Sequence, residues 1–281
     1  MTTTTIESIK VSNAPIVKDD VQVLGDGSCK LTIETEVEAA TKMTAEAEKE
    51  VTKQKNKTND EKDIFEVVEA SSLRMWDKFM KYKPKTDKQK KLKILLTDAI
   101  KTGLNDFYRP RLDPSFDKNG EICYKFGEMP AIGKSFNWWN RKAEKYCPER
   151  GSRLGTKTEY VAFLGVLIKR LVADGWTVQD AWSAVCDDSK ELGYYLNSKN
   201  AELDFEATGS REICGFFDLA NTYKILADDE EDGGFWLASG GYCNNSGDYP
   251  LADFEHHYNR DNDNNYCVGW LVLELRGMAC A

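Results

Sequence analysis

Histidine is almost missing from this chain, which holds two, His256 and His257, side by side. Adjacent residues point opposite ways in an extended segment, and no third histidine exists to complete a facial metal site. Cysteine occurs eight times, as Cys29, Cys123, Cys147, Cys186, Cys214, Cys243, Cys267 and Cys280. No two form a CxxC pair, so zinc and dithiol redox signatures are absent. No apolar run approaches membrane-spanning length. The opening MTTTTIESIK lacks a basic segment followed by an apolar core, which gives the expectation of no signal peptide and a cytoplasmic or virion-associated protein. An excess of basic charge is missing too. The formal charge of −9 argues against a nucleic-acid binder, which needs a concentrated basic surface. The Lys-rich patch from Lys81 to Lys93 is the exception, and reads as the solvated face of a helix.

What remains is globular: 281 residues, 41% hydrophobic and 11% aromatic, enough for one large or two modest domains. Residues 1–62 hold a hairpin pattern, with Val21–Leu24, a Gly25–Ser28 turn and Lys30–Ile33, then a Glu/Lys/Ala-rich stretch read as solvated helix or linker. A lone hairpin is marginal in water, so this region is expected to serve attachment or homo-oligomerisation. Residues 63–110 read as a helical hairpin, Asp63 to Tyr82 and Asp87 to Phe107, each with apolar residues at helical spacing. Residues 111–281 form the remaining domain. There Thr156 and Glu159 stand in capping-box spacing ahead of an apolar helix, and Trp176 to Tyr195 is amphipathic.

From Tyr242 to Cys267 the period vanishes. The stretch YCNNSGDYPLADFEHHYNRDNDNNYC is a long polar loop held between two apolar runs of strand length, Gly233–Ala238 and Val268–Leu275. Its five aromatics and its lack of Lys and Gln separate it from disordered tracts. Tyr with Ser, Gly and Asn is the mixture of a contact surface.

Arg153–Tyr160 (RLGTKTEY) resembles the "RLPTEAEWE" helix start of the formylglycine-generating-enzyme branch of the C-type lectin fold. Gly215–Asn221 (GFFDLAN) is similar to its "GLYDMAGN" turn, and Val268–Trp270 to its closing "VGFR" strand. Within that fold, the Gly-Phe-Trp-Leu-Ala-Ser strand, Asn-studded loop and Gly-Trp-Leu-Val-Leu strand resemble the variable proteins of diversity-generating retroelements. In that family Asn codons of the form AAY are mutated at adenines, which reaches Tyr, Cys, Ser, Asp, His, Phe and Gly but never Trp, Met, Gln, Glu or Lys. Between Tyr242 and Cys267 only Glu255 departs from that rule.

The resemblance implies an α+β chain with a C-type lectin fold in its C-terminal half and a variable region at about 239–267. It implies a binding protein, not an enzyme, whose ligand is a macromolecule, a protein or cell-surface target. The expected contact residues are Tyr242, Asn244, Asn245, Asp248, Tyr249, Phe254, His256, His257, Tyr258, Asn259, Asn262, Asn264 and Tyr266, with no metal and no cofactor. The rival implication is a formylglycine-generating-enzyme-like metalloenzyme, which would need reactive cysteines; Cys267 and Cys280 do not lie in that family's motif. Asp261–Asn265 imitates the first half of a calcium loop, but Tyr266 occupies the glycine position and Val272 the place of the bidentate Glu. Cys243 and Cys267 bracket the loop and invite a disulfide, which the missing secretion signal disfavours. Trp236 and Trp270, each in an apolar strand, are expected in the core.

Overall fold

The computed structural model describes residues 64–192, 207–209, 211–228, 234–238, 250–263 and 266–275, together with the backbone of short strands at 22–23, 29–30, 243–244 and 247–248. Two compact units divide the chain, Met1–Thr58 and Asn59–Ala281. In the first, β1 (Gln22–Val23) pairs antiparallel with β2 (Cys29–Lys30), and the turn expected at Gly25–Ser28 lies outside the described residues. The Glu/Lys-rich stretch after it lies outside the described residues.

The second unit begins with a correction. Helical spacing predicts a helix from Asp63, yet Phe65–Val68 is a strand, β3, followed by a 3-10 turn at Ala70–Met75 and a short helix α1 at Asp77–Lys81. The β-branched pair Val67 and Val68 finds a partner strand in β4 (Phe107–Pro110), with Val67 opposite Tyr108 and Val68 opposite Phe107. That long-range pairing overrides the local period. The second expected helix, α2, runs Asp87–Thr102 and stops short of Phe107 because Gly103 takes a left-handed φ of 84°. The helical hairpin of 63–110 is therefore two helices of unequal length bracketed by a strand pair.

Further along come β5 (Ser115–Phe116), β6 (Ile122–Cys123), α3 (Phe136–Tyr146), β7 (Arg153–Leu154), α4 (Lys157–Ala173) and α5 (Val178–Cys186). The expected capping box is present on α4: Glu159 N donates to Thr156 Oγ1 at 3.2 Å and Thr156 N donates to Glu159 Oε2 at 2.9 Å. α4 is buried on nearly every side, which its continuous apolar run from Val161 to Ile168 requires. Gly165 lets α2 close on it, since a Cβ there would stand 2.6 Å from Leu96.

The C-terminal strands are β8 (Glu212–Ile213), β9 (Phe216–Phe217), β10 (Tyr223–Ala227), β11 (Phe235–Ala238), β12 (Cys243–Asn244), β13 (Gly247–Asp248), β14 (Phe254–His257), β15 (Cys267–Gly269) and β16 (Leu271–Glu274). Four of them form the sheet β14-β11-β10-β15, which ends in a parallel β10–β15 pair, β16 joins the earlier strands in the sheet β3-β4-β16-β7, and β8-β9 and β12-β13 are two-stranded pairs. Trp270 joins the two four-stranded sheets. Its N–H donates to Ile225 O at 3.1 Å and its carbonyl accepts Gly155 N–H at 2.8 Å. Alternation along β10 and β11 sends Leu226 and Ala238 to one core with α2, α4 and α5, and Ile225, Phe235 and Leu237 to another with α3. The fold is mixed helix and sheet, as the α+β expectation has it.

Candidate ligand-binding surface

β11 and β14 set the geometry. They pair antiparallel with Trp236 opposite His256 and Phe235 opposite His257, so the adjacent histidines point to opposite faces of the sheet. On one face the Trp236 and His256 rings lie 4.6 Å apart. Both donate to or contact one carboxylate: Trp236 Nε1 donates to Asp228 Oδ1 at 3.0 Å, and His256 Nε2 is 2.8 Å from Asp228 Oδ2. Asp228 thereby ties the end of β10 to β11 and, across it, to β14. Lys157, at the start of α4, places its ammonium 3.2 Å from the Trp236 ring centroid and 5.7 Å from that of Phe254. On the other face His257 stacks on Phe235 at 5.6 Å, which in turn stacks on Phe136 of α3 at 5.0 Å. His257 Nε2 lies 3.5 Å from Glu255 Oε2, within ion-pair range but without a hydrogen bond.

Beyond β14 the chain turns outward and is pinned from below. Arg260 donates from Nη2 to Gly234 O at 2.8 Å and lays its guanidinium 4.7 Å from the Phe136 ring centroid. Asn137, in the first turn of α3, donates its side-chain amide to Asp261 Oδ1 at 2.8 Å and its N–H to Arg260 O at 3.2 Å. Between and beyond these anchors Tyr258, Asn259, Asn262, Asp263 and Tyr266 face solvent, Tyr258 at 72% exposure. The Tyr258 ring rests 4.7 Å from His256. Large aromatic surface left in water beside a polar rim is the anatomy of a recognition patch.

The thirteen expected contact residues divide four ways. Tyr258, Asn259, Asn262 and Tyr266 are exposed on the surface just described. Phe254, His256 and His257 are half-buried: Phe254 meets Tyr160 edge-on at 5.9 Å, and the histidines hold the sheet positions above. Asn244 and Asp248 belong to the β12–β13 pair, where Cys243 faces Asp248 and Asn244 faces Gly247 along the backbone. Tyr242, Asn245, Tyr249 and Asn264 lie outside the described residues. Asn259 also closes its own turn, its side-chain oxygen accepting Asp261 N–H at 3.3 Å.

Two tryptophans expected in the core part company. Trp270 is 3% exposed, whereas Trp236 is half-buried and forms the floor of the patch. Cys267 is a buried free thiol, and burial pushes it up to about 12. Lys157, Asp228, Arg260, Asp261 and Asn137 were not anticipated. Arg260 carries the one readable signal, as the single Lys or Arg of a loop otherwise rich in Asp and Asn.

Among the described residues, no three His, Cys, Asp or Glu side chains converge as a metal-ligand set. A groove of about 470 Å³ lies elsewhere, lined by Gly103, Asp106, Arg153, Glu159 and Glu274, none from the loop. The one basic side chain among these residues is already engaged, because Arg153 grips Glu159 with two bonds of 2.8 and 2.6 Å. No helix among the described residues is long and apolar enough to cross a membrane. Comparison with protein-family models, with curated proteins and with solved structures returns no match.

Proposed function

We propose that this chain is a ligand-binding protein whose display surface is the segment between β11 and β15, carried on a C-type-lectin-like scaffold and diversified by a retroelement. The observation that carries the reading is the contrast at β14 and beyond. Exposed Tyr258, Asn262 and Tyr266 stand on a floor fixed by Asp228, Arg260 and Asn137. A binding surface that must change its side chains without losing its shape needs that division, with anchors below and identities free above. The order of the capped helix α4, the Gly215–Asn221 turn and the paired strands around the loop supports the lectin-like scaffold. The partner is a macromolecule, a protein or cell-surface target, met by aromatic and amide groups; the chain performs no chemistry on it.

The test is genetic first and biophysical second. DNA beside the gene is expected to hold a reverse transcriptase and a near-copy of the segment encoding Tyr242 to Cys267, differing only where the copy has adenine. A library substituted at Tyr258, Asn262 and Tyr266 within the AAY-reachable set is expected to fold and to change ligand preference. Neighbouring DNA with neither feature, or a library that mostly fails to fold, refutes the reading.

A further inference from the structure

A lysine and two carboxylates meet in the interior, away from the display surface. Lys224 of β10 and Asp113, three residues after β4, are each 2% exposed. Lys224 Nζ donates to Asp113 Oδ1 at 2.5 Å, to Thr222 Oγ1 at 2.8 Å and to the main-chain oxygen of Asp218 at 3.2 Å. Thr222 Oγ1 holds the other oxygen, Asp113 Oδ2, at 2.7 Å. Asp218, 4% exposed, accepts the Asp113 N–H at 3.0 Å and the Gly209 N–H at 2.9 Å, and its own φ of 55° fixes the turn that brings it there. Arg109, also buried, stacks its guanidinium 4.4 Å from the Phe163 ring centroid and 4.7 Å from that of Phe216.

Such a cluster is poorly served by charge. Desolvation opposes ionisation of both members of a buried pair. Burial lowers the proton affinity of Lys224 more than the Asp113 charge and hydrogen bond raise it, and nearby Arg109 adds to the lowering. Burial, then the adjacent Asp113 charge, pushes Asp218 up to about 6. The neutral amine of Lys224 is thus brought closer to reach inside this site. Amine and carboxyl are held in contact with water excluded, which is the arrangement that makes a condensation effectively unimolecular.

We propose that Lys224 and Asp113 condense to an isopeptide bond, a covalent crosslink between β10 and the connection after β4, spanning 111 residues of sequence. The Lys224 ammonium passes one proton to the Asp113 carboxylate. The free Nζ attacks Cγ, the Nζ–Cγ bond forms and the Cγ–Oδ1 bond breaks. Oδ1 leaves as water, carrying the proton it received and a second one lost by Nζ. That second proton passes from Nζ to Oδ1 across their direct contact, while the Thr222 hydroxyl, which donates to Oδ2, steadies the negative charge that develops there. Atoms balance with one water released, and no oxidant or reductant enters.

Intact-mass spectrometry of the denatured, reduced full chain tests this. The expected mass is lower than that of the sequence by one water. Proteolysis is expected to give a branched peptide joining the Asp113 and Lys224 segments, with trypsin unable to cut after Lys224. Lys224→Ala and Asp113→Ala chains should each show the full mass of their own sequence. Because the wild-type branched peptide decides the matter, the proposal does not depend on the folding of those variants. A wild-type chain at full mass with Lys224 in a linear peptide overturns the proposal and leaves a buried ion pair. Loss of water without the branched peptide overturns it equally, since the dehydration then lies elsewhere.

Discussion

The segment around Tyr258 to Tyr266 and the junction at Trp270 lie a few residues apart in sequence and differ in almost every contact. At the junction Trp270 meets Tyr160 at 5.1 Å, Phe107 and Phe163 at 5.9 Å, and fills the space that a Cβ on Gly155 would need, 2.2 Å away. In the exposed segment Tyr258 touches one ring, His256, and Asn262 faces solvent. The backbone of the segment is nonetheless held, with Arg260 donating to Gly234 O ahead of β11 and Asn137 of α3 bonding Arg260 O and Asp261, whereas the junction packs on α4. What this teaches is that exposure of side chains and fixation of backbone are separable, and a display surface needs both.

Trp270→Ala sharpens the comparison most. Truncating so large a buried ring is expected to cost about 3–5 kcal/mol in chemical denaturation. An effect no larger than that of a surface change would abolish the distinction between the regions. Next, Gly269→Ala places a Cβ 2.5 Å from Trp139 and 3.0 Å from Leu154. Overpacking there should cost about 1–3 kcal/mol, read as a lowered midpoint with an unchanged denaturant slope.

Cys267 marks the border between the regions. Its thiol, raised from 9.0 to about 12 by burial, is favoured in the neutral form by the fold. That contribution is complete below the unfolded value and is lost as pH climbs toward the folded one. Wild type should therefore lose stability against Cys267→Ala above about pH 9, by about 1 kcal/mol at about pH 10. In native protein at about pH 8 the thiol should resist iodoacetamide and react only after denaturation. Rapid labelling of the folded chain would move the border inward. The smallest effect belongs to the exposed segment: Tyr258→Ser, Asn262→Asp and Tyr266→His should each shift stability by about 0.5 kcal/mol or less in thermal unfolding. A larger cost would mean that these side chains hold the loop rather than decorate it.

Legibility followed the same division. The loop was visible because its period disappears between two strand-like runs, and the α4 start because Thr156 and Glu159 satisfy each other within one turn. Phe254, His256 and His257 read as contact residues by composition, yet β14 turns them toward Tyr160, Trp236 and Phe235. Nothing local says which of two faces a strand residue will take until its partner and register exist. Helix α3 hid inside an aromatic cluster, Phe136–Trp139, whose Ser135 cap is a single hydroxyl accepting Trp138 N–H at 3.3 Å.

By itself the sequence determined what short-range chemistry can encode: the cap of α4, the polar loop and its aromatic stock, and the opposed directions of His256 and His257 in an extended segment. Tertiary structure alone decided that Phe65–Val68 would be a strand, because its hydrogen bonds are completed by β4 some forty residues later. It alone gathered Asp228 to Trp236 and His256, and Lys224 to Asp113, 111 residues away. Capping and alternation act over one to four residues and leave a trace in spacing. Pairing register and buried polar contacts join residues whose separation carries no period, so only the packed chain can fix them.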